Sequence, residues 1–275
     1  MKRYHPHSEA SPDMSNRLLW LPDALRGAGL KVALVDGWQE RGNENVGRTL
    51  GVICHYTATV GGGNMPTLDI LIRGREDLPG PLSQLGLGRD GTYYVIASGR
   101  ANHAGAGEWN GIATGNSSFV GIEAENSGRA SEGWPPAQLD AYKRGVAAIL
   151  RQVGRTAASC CGHKEFALPA GRKSDPNLDM NLFRQSVAAI LGGSAPPPVL
   201  IPAVEPGGKA RPTLRRGDTG ELVSELQRKL KLGVVNGSFG PLTEAAVRAF
   251  QRDHAMVPDG IVGPKSWIQL DLAAQ

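Results

Sequence analysis

From Ser194-Ala195-Pro196-Pro197-Pro198 to Pro212 the chain carries repeated proline and glycine and no helical period. Such a run is a linker, extended over its proline part. The 275 residues are therefore expected to divide into a unit over 1–192, a linker over 193–212 and a unit over 213–275. With 40% hydrophobic and 20% charged residues, both units have the makings of a packed core. The second, of roughly sixty residues, needs a tight one.

In the first unit, residues 1–16 are polar, contain Pro6 and Pro12, and form a loosely held arm. A short helix over Asp23–Arg26 stops at Gly27 and Gly29, and Lys31–Val35 is a strand. Val52–Thr57, Thr92–Ala97 and Phe119–Asn126 are strands by their β-branched and aromatic content, with Asp90-Gly91 as a hairpin turn. Leu139, Tyr142, Val146, Ile149, Leu150 and Val153 fall at helical spacing after Pro135-Pro136 and before Gly154. Asp179 caps a last helix whose apolar face holds Leu182, Phe183, Val187, Ile190 and Leu191. Strands interleaved with such helices make an α/β core covered by helices. The second unit is helical and has an internal echo. Asn236-Gly237-Ser238-Phe239-Gly240-Pro241 recurs as Asp259-Gly260-Ile261-Val262-Gly263-Pro264. Leu222, Leu226 and Leu230 mark one helix, with Asp218 and Glu221 spaced as a capping box, and Val247 and Phe250 mark another.

Chemistry concentrates in Gly162-His163-Lys164-Glu165 and Gly171-Arg172-Lys173-Ser174-Asp175-Pro176. Gly162, Pro169, Gly171 and Pro176 interrupt any helix there, and a loop held by a scaffold is a common seat of function. His163 and Asp175 are good zinc ligands, and a further ligand is offered by Gly51-Val52-Ile53-Cys54-His55-Tyr56-Thr57. Alternation puts His55 on one strand face with Ile53 and Thr57. Taken alone, a strand histidine with apolar neighbours is as well explained as a core residue. Three ligands, His55, His163 and Asp175, leave a zinc ion a fourth position for water. Amide hydrolysis also needs a base, for which Glu123 is placed, and a cation for the developing oxyanion, for which Lys173 serves. Glu125, further along the strand, belongs on a solvated face. His103, in the small-residue turn Ala101–Gly105, reads equally as a surface residue. The helical His-Glu-x-x-His zinc motif is absent.

The formal charge of +4 and pI near 9.0 suit approach to an anionic polymer, and no dense Lys/Arg block points to nucleic acid. No run has the length of a membrane helix, and Met1-Lys2-Arg3 is not followed by the apolar core of a signal peptide. Both features lead to the expectation of a cytoplasmic protein until some partner releases it. Cys54, Cys160 and Cys161 cannot all pair within one chain and are expected reduced and partly buried, with metal ligation the alternative.

Gly51–Thr59, Asn102-His103-Ala104-Gly105, Val120-Gly121-Ile122-Glu123 and the two segments around His163 and Asp175 together resemble the type 2 N-acetylmuramoyl-L-alanine amidases. That family includes bacterial recycling amidases and phage endolysins and shares its fold with peptidoglycan-recognition proteins. The resemblance spans roughly residues 45–192. It implies a mixed central sheet flanked by helices and cleavage of the amide between N-acetylmuramic acid and L-alanine. It also implies Zn2+ on His55, His163 and Asp175, with Glu123 and Lys173 catalytic and His103 near the substrate. Asn102 stands where the family often has an aromatic residue. Gly217–Gly220, Leu226-Gln227, Phe250-Gln251, the two echoed turns and Trp267 resemble the small three-helix peptidoglycan-binding domain of many wall hydrolases. Tethered by the linker, such a module raises the local concentration of catalytic domain at the wall. The resulting expectation is a phage endolysin acting on bacterial peptidoglycan, with a holin for release. The alternatives are a recycling or remodelling amidase and a non-catalytic recognition protein.

Overall fold

A computed structural model describes residues 17–43, 46–60, 62–129, 131–195, 211–254 and 256–273. The arm over 1–16 and most of the linker, 196–210, lie outside the described residues. In chain order the elements begin with α1 (Leu21–Gly27), β1 (Val32–Leu34), β2 (Gly51–Tyr56), α2 (Leu68–Arg73), β3 (Gly74–Arg75) and β4 (Leu78–Pro79). They continue with β5 (Leu85–Leu87), β6 (Tyr93–Val95), α3 (Gly115–Ser118), β7 (Phe119–Ala124) and α4 (Pro136–Gln152). The first unit closes with β8 (Cys160–Gly162), α5 (His163–Phe166) and α6 (Met180–Leu191). Helices α7 (Glu221–Lys229), α8 (Pro241–Asp253) and α9 (Pro264–Ala273) make the second.

The central sheet has the order β1-β6-β5-β7-β2-β8. All neighbours are parallel except β5 and β6, so the sheet is mixed, as expected. Strand β2 lies between two parallel partners, which explains why Gly51-Val52-Ile53-Cys54-His55 is buried throughout. Its two faces have different partners. Val52 and Cys54 join Val120, Ile122 and Ala124 of β7 in the main core, beneath Tyr142, Val146, Ile149 and Leu150 of α4 and Phe183 and Val187 of α6. Ile53 points the other way, into a small cluster with Phe119, Cys161, Phe166 and Ala104. This second cluster forms the floor on which His55 and Glu123 sit.

Local chemistry sets the boundaries of these elements. Asp179 caps α6, its carboxylate accepting from the backbone N–H groups of Asn181 and Leu182 at 2.9 and 3.1 Å. Gly145 in α4 is required by close approach: a Cβ there would lie 2.1 Å from the Tyr93 hydroxyl oxygen. That hydroxyl donates to Ala141 O at 3.1 Å and ties β6 to the helix.

In the second unit the three helices enclose Val223, Leu226, Phe239, Val247, Val262, Trp267 and Leu270. The expected capping box does not form. Gly220, at φ +120°, occupies the N-cap of α7, while the Asp218 carboxylate accepts from Arg215 N at 2.9 Å and closes the turn before it. The echoed turns have a shared cause that the sequence reading left unassigned. Buried Gln227 accepts from Asn236 N and Gly237 N through Oε1, both at 3.0 Å, and donates through Nε2 to Ser238 O at 3.0 Å. Buried Gln251 repeats this on the second turn, accepting from Gly260 N and donating to Asp259 Oδ1 and Ile261 O. Each helix thus holds, by one amide, the Asx-Gly turn that follows it.

The described part of this unit is docked rather than free. Ile261 is buried among Ala33, Val35, Met65, Leu68, Tyr94 and Ile96. Arg248 donates to Leu34 O at 2.8 Å and pairs with Asp36 at 2.8 Å, and Thr213 donates to Asp90 Oδ2 at 3.1 Å.

Candidate metal centre

Strand register brings the distant residues together. His55 is directly opposite Glu123 in the β2–β7 pairing, so both side chains rise from the same face. On the other side of β2, Cys54 is opposite Gly162, the last residue of β8. The next residue, His163, opens α5 beside His55, with ring centroids 4.5 Å apart. Asp175 is carried back to this point by its own loop. Its carbonyl accepts from Lys164 N at 2.7 Å, and Lys164 Nζ donates to Leu178 O at 2.7 Å. Gly162 makes room for that loop, since a Cβ there would meet Pro176 Cδ at 2.9 Å.

The three side chains converge on one point. His55 Nδ1 is 3.1 Å from His163 Nδ1 and 3.2 Å from Asp175 Oδ2, and His163 Nδ1 is 3.2 Å from that same oxygen. Donors at about 2.0–2.1 Å from a tetrahedral zinc stand about 3.3 Å apart, so this triangle has the edge length such an ion imposes. The proton inventory agrees. His163 Nε2 lies 2.9 Å from Ala104 O, which can only accept, so the ring proton is on Nε2 and Nδ1 presents a lone pair. Among the described residues, these three are the group of His, Cys, Asp and Glu side chains able to share a metal ion. The donor set fits Zn2+.

Electrostatics separate the three donors from the carboxyl beside them. Burial pushes His55 down to about 4, the adjacent Asp175 carboxyl opposing it in part, so the ring is neutral and free to ligate. Burial alone would raise Asp175, but the close His163 and His55 rings outweigh it and hold the carboxyl below its ordinary value. Glu123 goes the other way. Burial and then the Asp175 charge raise it to about 8, against the pull of Lys173. Its Oε1 lies 3.9 Å from His55 Nδ1, outside the triangle, and its buried Oε2 has no hydrogen-bond partner. A carboxyl so placed exchanges a proton near neutral pH.

Lys173 is exposed, near enough to bear on both His55 and Glu123. His103 is 7% exposed and reaches His55 from the Nε2 side, away from the triangle. Both its ring nitrogens are engaged within the protein, at His55 Nε2 and at Phe119 O. Glu125 corrects the expectation of a solvated face. It is fully buried, accepting from Thr57 Oγ1 at 3.0 Å and from Thr67 N and Oγ1, with Arg89 at 3.8 Å. It anchors the segment that follows β2. The cysteines are free and fully buried, with Cys54 Sγ 3.6 Å from Cys160 Sγ. Two further supports were not read from the sequence. Tyr142 donates to His55 O at 2.9 Å from beneath the sheet, and Asn116 holds the 103–104 backbone. A buried tyrosine at helical spacing looks like plain core in sequence, and an asparagine in a four-residue helix carries no signal.

Comparisons with known proteins match two separate segments of the chain. Residues 45–178 match the family described as N-acetylmuramoyl-L-alanine amidase, and residues 219–270 match a peptidoglycan binding domain family. An uncharacterized protein in the bpoA1 3' region of Kitasatospora aureofaciens is 43% identical over 68 residues, spanning 22% of this chain and 58% of that protein. The Burkholderia AP3 phage endolysin is 48% identical over 21% of this chain and 24% of its own, with a TM-score of 0.20. The Staphylococcus aureus hydrolase AmiA aligns over 70% of this chain and 97% of its own, at 14% identity and a TM-score of 0.44. Among the described residues no helix is long and apolar enough to cross a membrane. A domain of the N-acetylmuramoyl-L-alanine amidase family, carrying the His55–His163–Asp175 centre, is thus joined in this chain to a C-terminal domain of the peptidoglycan binding family.

Proposed function

We propose that the chain is a zinc-dependent peptidoglycan amidase that cuts between the lactyl group of N-acetylmuramic acid and L-alanine. The observation that carries this reading is the triangle of His55, His163 and Asp175 donors with the Glu123 carboxyl beside it. Zn2+ held there supplies Lewis acidity, bringing the pKa of a water molecule toward about 7 and polarising the scissile carbonyl. Glu123, raised to about 8, takes the proton of the attacking water and returns it to the departing amide nitrogen. Lys173, on the exposed side, meets the negative charge of the tetrahedral oxygen. The C-terminal domain holds the enzyme on the polymer.

A glycosidase would need two carboxylates at its site, and on this strand the second could only be Glu125. Thr57, Thr67 and Arg89 enclose it, so it has no approach to substrate as a second acid or base. Digestion of purified wall tests the proposal directly. New L-alanine amino termini that vanish with chelator and return with Zn2+ are expected, and reducing sugar ends without amino termini would overturn it. The biological role in this proposal is that of an endolysin kept in the cytoplasm and released by a holin. Expression with and without a holin tests that part, with lysis expected only in its presence.

A further inference from the structure

The loop that carries His103 touches both histidines of the triangle from behind. Phe119 O, 3.2 Å from His103 Nε2, can only accept, so His103 carries its proton on Nε2 and presents a lone pair on Nδ1. His103 Nδ1 lies 3.1 Å from His55 Nε2, so that nitrogen must be the donor. His55 is therefore protonated on Nε2, and its Nδ1 lone pair faces His163 and Asp175. One residue further on, Ala104 O accepts from His163 Nε2 and sets that ring in the same way.

This short segment is itself pinned. Asn116 Oδ1 accepts from both His103 N and Ala104 N, at 3.0 and 2.8 Å. The His103 ring lies against Gly121 of β7, where a Cβ would come 2.6 Å from its Cγ. Gly121 in turn donates its N–H to buried Gln84 Oε1 at 2.7 Å, and its carbonyl accepts from buried Ser83 Oγ at 2.8 Å. The glycine thus provides a recess that only a missing side chain can leave, and the imidazole fills it.

We propose that His103 is a positioning residue of the metal centre. By accepting a hydrogen bond from His55 Nε2–H it fixes the tautomer and ring plane in which Nδ1 ligates, and the Asn116-held loop does the same for His163 through Ala104. The role is indirect, since both nitrogens of His103 are occupied within the protein and neither is free for substrate. Groups that orient a ligating histidine typically alter metal affinity by about 10–100-fold when removed.

The inference rests on the zinc reading above, and the experiment separates the two. Zn2+ affinity of the full chain is measured by competition with a chromophoric chelator for the unaltered protein, His103→Phe and His103→Gln. Phenylalanine keeps the bulk and removes the acceptor, whereas glutamine restores an acceptor oxygen. The expected result is a Kd about 10–100-fold weaker in His103→Phe and a recovery toward the original value in His103→Gln. Stoichiometric zinc in the unaltered protein with an unchanged Kd in His103→Phe overturns the inference and leaves the zinc reading standing. Absence of zinc binding in the unaltered protein overturns the zinc reading instead. Nitrogen-15 imidazole spectra of the unaltered, metal-free protein keep the test open if His103→Phe does not fold. They should show His55, His103 and His163 all protonated on Nε2, and a proton on Nδ1 of His55 overturns the proposal.

Discussion

His55 and Glu123 stand opposite one another on two adjacent parallel strands, with the imidazole Nδ1 3.9 Å from a carboxylate oxygen. The separation distinguishes their tasks. His55 lies 3.1 and 3.2 Å from the other two donors, while Glu123 is set back and keeps an unpartnered oxygen. Parallel pairing holds this offset rigidly, because sliding one strand by a residue would send the carboxyl to the opposite face.

Glu123→Gln keeps size and shape and removes the exchangeable carboxyl. Amidase turnover should fall by about 10²–10⁴-fold, while zinc content measured on the same sample remains stoichiometric. Metal lost together with activity would place Glu123 among the ligands.

The raised Glu123 also predicts a pH dependence of stability in metal-free protein. Its folded value of about 8 lies above the ordinary 4.5, so the folded state binds the proton more tightly than the unfolded chain. This group costs nothing below about pH 4.5, and its penalty grows as pH rises toward 8. One pKa unit corresponds to about 1.4 kcal/mol, so the penalty at its full extent is several kcal/mol. Glu123→Gln should therefore raise the Tm of metal-free protein at pH 8 and leave it almost unaltered at pH 4.5. Adding Zn2+ should shrink the difference, because a nearby dication favours the carboxylate. An equal Tm gain at both pH values would contradict this assignment.

How much of this was legible in the sequence follows from the range of each interaction. The strand at Gly51–Tyr56 and the helix at Pro136–Gln152 are written in local patterns, and both formed close to their expected limits. The candidate donors could be picked by residue type, but only register shows that His55, Glu123 and His163 meet. The errors came where tertiary contacts reversed a local rule. Glu125 follows the polar alternation of an exposed face, yet three partners on other segments bury it. Asp218 and Glu221 have capping-box spacing, but the helix starts two residues too late for Asp218 to cap it. The second unit reads as a tethered module, because nothing local announces that Ile261 and Arg248 will dock on β1 and β6.

The paired glutamines of the C-terminal domain lead to a stability prediction. Gln227→Leu fits the space but leaves Asn236 N and Gly237 N without their buried acceptor. Each orphaned donor costs about 1–3 kcal/mol, so the domain should lose several kcal/mol and its wall binding with it. Thermal melting of the full chain should show a lower first transition. The catalytic domain should keep its activity on soluble muramyl peptide, since Gln227 lies in the other unit.

Arg184 supports the centre from a greater distance. It forms a two-pronged pair with Glu165 at 2.8 and 2.9 Å and also donates to Cys160 O at 3.2 Å. Glu165 in turn accepts from Gly162 N at 2.9 Å, so the pair holds the junction at which β8 ends and His163 begins. Both side chains are largely shielded, at 16% and 24% exposure, which places the pair above the small value of a surface salt bridge. Arg184→Met retains much of the packing and strands the carboxylate. A loss of about 1–3 kcal/mol is expected in denaturant melts, with a lower zinc affinity because the start of α5 loosens. Glu165→Gln, which keeps an acceptor for Gly162 N, should lose less on both counts. If the two variants lose equally in zinc affinity, the effect runs through charge rather than through the position of His163.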